Sequence, residues 1–479
     1  MRKLVLAAAL FGAAVAPAGA ADNPVTGPVV LPTAWQAKAR AMFQTAIEIP
    51  TVTGRNEQKR MADWMAAQYR ANGWAANDVQ VLPYSVAGDP ETKYLMTARW
   101  PAARPSGKKP ILMIAHMDVV EAKRSDWVLD PFKFVEKDGY FYGRGTIDDK
   151  QGVLGTSIAL FKLRADGFQP TRDLVVLYTS DEESGGEGAL QASTKYRQLT
   201  DSEYVLNADA GGGSFARNGQ PLSFGFQTSE KIYQDYTFTA TNRGGHSSRP
   251  RPDNAIYDLS GALLRLARHR FSPAMTETTR AYYAARAKSE GASPLGRALR
   301  KWLANPNNSA AADAIEANEL EVGTTRTRCV ATMLGGGHAP NALPQKAEAN
   351  VNCRALPGTE GEALTRELQA IAGPKVTVTP KGTFRPSPPS PLREDVLGAF
   401  TKAVHSLYGA EVPIVPQMST GATDGLYFRQ AGIPVYGVDI TWGISPDDER
   451  AHGLDERQPV RSFYNSITGW EMMLRDLAG

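Results

Sequence analysis

Cysteine is nearly missing from this chain: Cys329 and Cys353 are the only two in 479 residues. A disulfide scaffold and a thiolate zinc site are thereby excluded, since both need more sulfur. The pair stands nearly symmetrically about Asn341, between two expected strands. Antiparallel pairing would set the thiols opposite each other and allow a bridge, while two separately buried thiols fit the pattern equally well. An excess of one charge is also missing. The 53 basic and 50 acidic residues leave a formal net charge of +3 without long single-sign runs, so no nucleic-acid partner is expected. Apolar runs long enough to span a bilayer are lacking too. "MRKLVLAAALFGAAVAPAGA" carries Arg2 and Lys3, an apolar stretch from Leu4 to Val15 and small residues up to Ala20. That stretch falls short of the roughly 20 residues of a spanning helix and has the layout of a signal peptide occupying 1–20. A secreted or periplasmic location is expected, with no membrane span once the signal is removed.

What is present is ordinary globular usage, 42% hydrophobic and 22% charged, in a chain long enough for two or more domains. After two amphipathic helices, strand-like runs such as "PILMIAHMDVV" and "DLVVLYTSDEE" alternate with helical ones such as "DDKQGVLGTSIALFKLRADG". That alternation predicts an α/β fold with a mainly parallel, doubly wound sheet. Between residues 228 and 388 the order changes to strand, helix, strand, strand, helix, strand, which predicts an inserted α+β, ferredoxin-like unit. Residues 272–325 read as a helical insertion within it. The Pro-rich "FRPSPPSPL" leads back to the first domain, which thus comprises 21–227 and 389–479. The strand "DYTFTATNRGG", taken as an edge, would expose unpaired backbone groups; a homodimer joined through the inserted unit would remove that liability.

The acids lie where such a sheet binds ligands. "TSDEESGG" ends a strand with Asp181, Glu182 and Glu183, "AHMD" ends another with His116 and Asp118, and "NADAG" ends a third with Asp209. "GRGTIDDK" opens a helix with Asp148 and Asp149. Parallel strand ends gather on one edge of the sheet, and so many acids there call for cations. Imidazole and carboxylate donors suit zinc or a similar ion, and the count suggests a carboxylate-bridged pair.

These motifs, with "GGHSSRPRPDNA", "GGGHAPNALP" and "AHGLDE", resemble the co-catalytic zinc exopeptidases and amidohydrolases that include glutamate carboxypeptidase, carnosinase, aminoacylase and succinyl-diaminopimelate desuccinylase. The resemblance implies two divalent ions, zinc first among candidates. Asp148 would bridge them, His116 and Asp209 would complete one site, and Glu183 and His452 the other. Asp118 would orient the His116 ring, with Glu182 as general base. His246 would stabilise an oxyanion, often from a partner subunit. Asn341 and Arg354 match substrate-holding positions of the inserted domain, which in relatives serves as lid and dimerisation unit. Gly421, in the loop "STGATDG", matches a segment whose backbone N–H groups face a substrate carboxylate; Thr420 and Ala422 depart from the commoner pattern. His269, His338 and His405 fall outside ligand positions.

The expected activity is cleavage of a peptide or amide bond beside a free carboxylate, as in a carboxypeptidase or dipeptidase, or alternatively of an N-acyl amino acid. The substrate is then a small peptide or N-acyl amino acid. A metal-dependent binding protein without turnover is the rival; it would be expected to lack the base or a ligand, and neither is missing.

Overall fold

The computed structural model describes residue 25 and residues 27–479, so the expected export segment lies outside the described residues. Its centre is an eight-stranded sheet. Leu174–Thr179, Ile111–His116, Tyr204–Phe215 and Val435–Ile444 run parallel through the middle. Val79–Tyr84 and Lys93–Trp100 are added antiparallel at one margin, while Pro221–Glu230 and Ile414–Ser419, parallel to each other, close the other margin.

The continuous apolar runs are explained by burial on both faces. Ile111, Met113 and Ala115 pack into the larger core, with the helices Thr33–Ile47, Lys150–Ala165 and Val460–Ala478. Leu112 and Ile114 point the other way, into the core around Ala189, Ala192 and Phe428. "NADAG" does not end its strand, which continues to Phe215. Its pairing with Ile111–His116 stops at Asn207, so Asp209 lies where that neighbour has already left.

The inserted unit has a four-stranded antiparallel sheet, in the order Arg328–Gly336, Lys346–Ala355, Ile232–Thr241, Val376–Lys381. Helices Ala255–Arg268 and Gly361–Ala372 share its core, the α+β arrangement expected. One expectation is corrected here. The strand within "DYTFTATNRGG" lies inside the sheet, and the edges are Arg328–Gly336 and Val376–Lys381. Its alternating burial comes from one face under helices and one in solvent, which an interior strand shows as readily as an edge. Cys329 stands opposite Cys353 across Arg328–Gly336 and Lys346–Ala355, with Cα atoms 4.0 Å apart, and the two form a disulfide.

Residues 272–325 leave this unit in space. Helices Glu277–Ser289, Pro294–Ala304 and Ser309–Ile315 bury Tyr283, Leu299, Trp302 and Ile315 in a small core of their own. Each is capped by its own sequence: Thr276 accepts from Thr279 N–H, Ser293 from Gly296 N–H, and Asn308 from Ala311 N–H, the usual way to satisfy first-turn donors. The first helix packs on the catalytic strand Ile414–Ser419, and the Thr278 and Thr228 hydroxyls lie 2.6 Å apart.

Candidate metal centre and active site

The sheet geometry brings four of the chain's acids and two histidines onto one edge. His116, the last residue of its strand, is 1% exposed and sets Nε2 3.0 Å from Asp148 Oδ1 and 3.6 Å from Asp209 Oδ1. His452 Nε2 lies 3.1 Å from Asp148 Oδ2 and 3.0 Å from Glu183. Asp148 therefore turns one oxygen to each ring, the disposition a bridging carboxylate needs. His116, Asp148 and Glu183 present donor atoms that all lie within 4.8 Å of one another, as do His116, Asp149 and Asp209. Asp149 faces inward: it is fully buried, and Oδ2 accepts the His116 backbone N–H at 3.3 Å.

Among the described residues, the ion pairs of Asp148, Glu183 and Asp209 are all to histidine. The charge state of the rings shows the strain of this crowding. Burial disfavours charge on His116, yet Asp209, Asp118 and Asp148 hold its pKa well above the usual range. Hydrogen bonds with Asp148 and Glu183 raise His452 to about 10. Burial pushes Asp209 up to about 6, and burial with neighbouring carboxylates raises Glu182 well above an ordinary glutamate. Protons are thus held where dications would neutralise the same acids, and the all-oxygen-and-imidazole donor set fits a divalent ion of the zinc type.

The three acids of "DEE" divide their work. Asp181 turns away from the site, accepting Tyr84 OH at 2.6 Å and Gly188 N–H at 3.0 Å. Glu182 and Glu183 form a short helical turn whose backbone N–H groups donate to Asp118, at 3.3 and 3.1 Å. The His116 Nδ1 partner is the Asp118 backbone carbonyl at 3.0 Å, with the carboxylate farther off at 3.6 Å. Asp118 thus orients the ring mainly through its main chain, and its carboxylate positions the two glutamates.

Two groups not singled out from the sequence organise the loops. Glu456, fully buried, accepts Arg144 Nη1 at 2.6 Å together with the N–H groups of Gly145, Ile147 and Asp148. Arg144 Nη2 donates to Gly453 O at 3.0 Å. One ion pair therefore ties the Asp148 loop to the His452 loop, where His452 itself adopts φ +60°. Glu230 accepts the N–H and hydroxyl of Thr423 and pairs with Arg429 at 2.9 Å, fixing the 419–425 loop. Glu456 sits inside a motif quoted from the sequence, "AHGLDE", and Glu230 in none; in either place a single acid reads equally as solvated.

The remaining candidates lie apart from the acids. His246 is exposed in a short ladder opposite Ala342, and Ser247 N–H donates to Asn341 O, so His246 and Asn341 are neighbours. No described hydrogen bond or ion pair joins His246 to the metal-ligand candidates; its Nδ1 faces Ser248. Arg354 lies 4.6 Å over the Tyr233 ring and beside Lys231, whose own N–H donates to Ser419 O. Gly421 N–H is taken by Ser419 Oγ at 3.0 Å.

Comparison with known proteins agrees with this geometry. The human N-fatty-acyl-amino acid synthase/hydrolase PM20D1 is 30% identical over 368 residues, which cover 75% of this chain and 72% of that protein. The M20 family metallo-carboxypeptidase Sso-CP2 from Sulfolobus solfataricus shares the fold with a TM-score of 0.67 at 18% identity, covering 91% of this chain and 98% of that one. The Bacillus subtilis YXEP protein, described as a dinuclear metal binding peptidase, matches with a TM-score of 0.57 at 12% identity over 93% and 99% of the two chains. The model of peptidase family M20/M25/M40 matches residues 112–476, from the strand that ends in His116 to the helix beyond His452. By that match and by the ligand set it encloses, the chain belongs to peptidase family M20/M25/M40 and is a metal-dependent hydrolase.

Proposed function

We propose that this chain is an exported two-zinc hydrolase that cleaves an amide bond next to a free carboxylate, in a small peptide or an N-acyl amino acid. The carrying observation is Asp148 set between His116 and His452. His116, Asp148 and Asp209 would hold one ion, and Asp148, Glu183 and His452 the other. Two such ions supply Lewis acidity toward a carbonyl and toward water. Glu182 takes the proton of the attacking water and passes it to the leaving nitrogen, while Asp118 keeps the glutamate turn in place. Arg354 and the 419–425 loop meet the carboxylate, Gly421 N–H exchanging its present acceptor, Ser419 Oγ, for the substrate, and Asn341 meets a substrate carbonyl.

His246 acts as oxyanion donor toward the metal centre of a second copy. That role asks for a homodimer, and the edge strand Arg328–Gly336 supports one: Val330, Met333 and Leu334 are all more than half exposed on it, beside unpaired backbone groups that a partner strand would satisfy. Export is supported by the layout of residues 1–20 alone and is tested by whether the mature chain begins at Ala21. The activity is tested with the zinc-loaded protein against dipeptides, C-terminal Glu peptides and N-acyl amino acids. Hydrolysis within that panel is expected; two bound zinc ions per chain without any hydrolysis would leave a binding protein instead.

A further inference from the structure

On the inserted sheet, the face away from its helices carries an ordered row of side chains. Arg328 stands opposite Arg354, and Arg354 opposite Tyr233, across the strands Arg328–Gly336, Lys346–Ala355 and Ile232–Thr241. The two arginines are held differently. Arg328 pairs with the buried Glu316. Arg354 makes no hydrogen bond or ion pair among the described residues, and its guanidinium carbon lies 4.6 Å over the Tyr233 ring. We infer that Tyr233 and Asp235 are positioning residues for substrate recognition: together they hold Arg354 on an aromatic shelf with no acid of its own, so that its charge is kept for the substrate carboxylate. This rests on the role given to Arg354 in the proposed function.

The acid next along this face shows why Arg354 stays unpaired. Asp235 stands opposite Asn352, diagonal to Arg354, and diagonal neighbours in a sheet lie roughly 7–8 Å apart, within reach of a long side chain. Donors of its own face already occupy it. The Tyr233 hydroxyl donates to Oδ2 at 2.7 Å, and the side-chain amides of Asn350 and Asn352 donate to Oδ1 at 3.1 and 3.0 Å. The Tyr233 bond therefore does two things: it takes up an oxygen that Arg354 could claim, and it fixes the ring. A planar guanidinium stacks on such a ring by its face. Its edge N–H groups stay free, and these are the donors that pair with a carboxylate in bidentate fashion. Tyr233 is 49% exposed, so the row is open to a ligand. Its strand also begins at the carboxylate loop. Lys231 N–H donates to Ser419 O at 3.0 Å, and Glu230 accepts the N–H and hydroxyl of Thr423. The shelf thus starts three residues beyond the acid that fixes the loop assigned, with Arg354, to the same carboxylate.

The test uses substrate pairs that differ only at the C-terminus: N-acetylleucine with its carboxamide, and alanylleucine with its carboxamide. The zinc-loaded wild type is expected to prefer the carboxylate of each pair, and Arg354→Met to lose that preference. Tyr233→Leu is expected to raise KM for the carboxylate by about 2- to 30-fold, the worth of a cation held on a ring. Its kcat is expected to stay within about twofold, as is kcat/KM on the carboxamide, since only ground-state binding of one group is removed. Tyr233→Phe keeps the ring but frees Asp235 to draw Arg354 away, and is expected to raise the same KM by about threefold to tenfold. Adding Asp235→Asn to Tyr233→Phe removes the competing charge and is expected to restore it. A Tyr233→Leu protein with unchanged carboxylate KM, or with equal losses on carboxylate and carboxamide, overturns the inference; loss of the preference in Arg354→Met then leaves the Arg354 assignment standing. A preference retained in Arg354→Met overturns both. If neither pair is hydrolysed, calorimetric binding of N-acetylleucine to the zinc-loaded wild type reads the same shelf. Binding weakened by both Arg354→Met and Tyr233→Leu then overturns the activity and leaves the shelf standing, and no binding overturns both.

Discussion

Asp148 sets its two carboxylate oxygens 3.0 and 3.1 Å from the Nε2 atoms of His116 and His452, respectively. Among the described residues, no other acid pairs with both rings: Asp118 and Asp209 lie by His116, and Glu183 by His452.

Glu182 and Glu183 are adjacent in sequence, and the proposed function gives them different work. Glu182→Gln is expected to retain two zinc ions and to lose turnover by about 10² to 10⁴-fold. Glu183→Gln is expected to lose metal first. Elemental analysis beside the turnover number checks both, and equal zinc with equal activity in the two variants would sink the assignment.

Glu456→Ala should be among the most damaging changes away from the reacting atoms. It strands Arg144, whose side chain is 3% exposed, at a cost of about 3–5 kcal/mol, and it frees the N–H groups ahead of Asp148. Denaturant unfolding measures the loss. A change below about 1 kcal/mol would show that the pair does not organise the two loops.

The disulfide closes a loop across 24 residues of sequence separation, which places its contribution at about 3 kcal/mol in the chain-entropy view. Cys329→Ala with Cys353→Ala is expected to lower the unfolding midpoint of the inserted unit and to leave kcat on small substrates nearly unchanged. Unfolding with and without reductant provides the check.

Lys231 gives a pH signature. Burial, with Arg328 and Arg354 close by, lowers its pKa to about 7, against 10.5 for the unfolded chain. Between those values the unfolded state binds more protons, so this lysine makes stability rise with pH across that window, with no further contribution below about 7. The stability of the wild type relative to Lys231→Met is therefore expected to increase from pH 7 to pH 10; a flat difference would refute the lowered pKa.

Met333→Lys, on the exposed edge strand, is expected to shift the mature protein from dimer to monomer in light scattering, since a charge on an edge opposes strand pairing. A wild type that is already monomeric would remove this dimer and, with it, the cross-subunit role of His246.

The features readable from sequence are those carried by contiguous patterns. His116 and Glu183 lie at or just beyond an apolar run that ends a strand, Asp148 lies just ahead of the helix Lys150–Ala165, and Asp209 lies along a strand where its neighbour has ended, so their convergence follows from sheet topology. Glu456 was not readable in this way, because its meaning depends on Arg144, 312 positions away. Nor was the interior place of Ile232–Thr241, since alternation reports which face is buried and is silent about which strands lie alongside. The helical insertion was visible as helices, but its destination on Ile414–Ser419 is a long-range contact with no local trace.

That destination has a mechanical consequence. The chain passes between the catalytic body and the four-stranded unit near 231 and 386, and again on its way into and out of the inserted helices. The latter two passages are bonded to each other, Ala274 N–H to Thr325 O at 3.0 Å, and Thr325 and Arg326 are almost wholly buried. Two crossings leave a single hinge line, whereas four crossings tie the two parts together at separate points. The inserted helices are thereby fastened to the catalytic strand Ile414–Ser419, although in sequence they belong to the inserted segment.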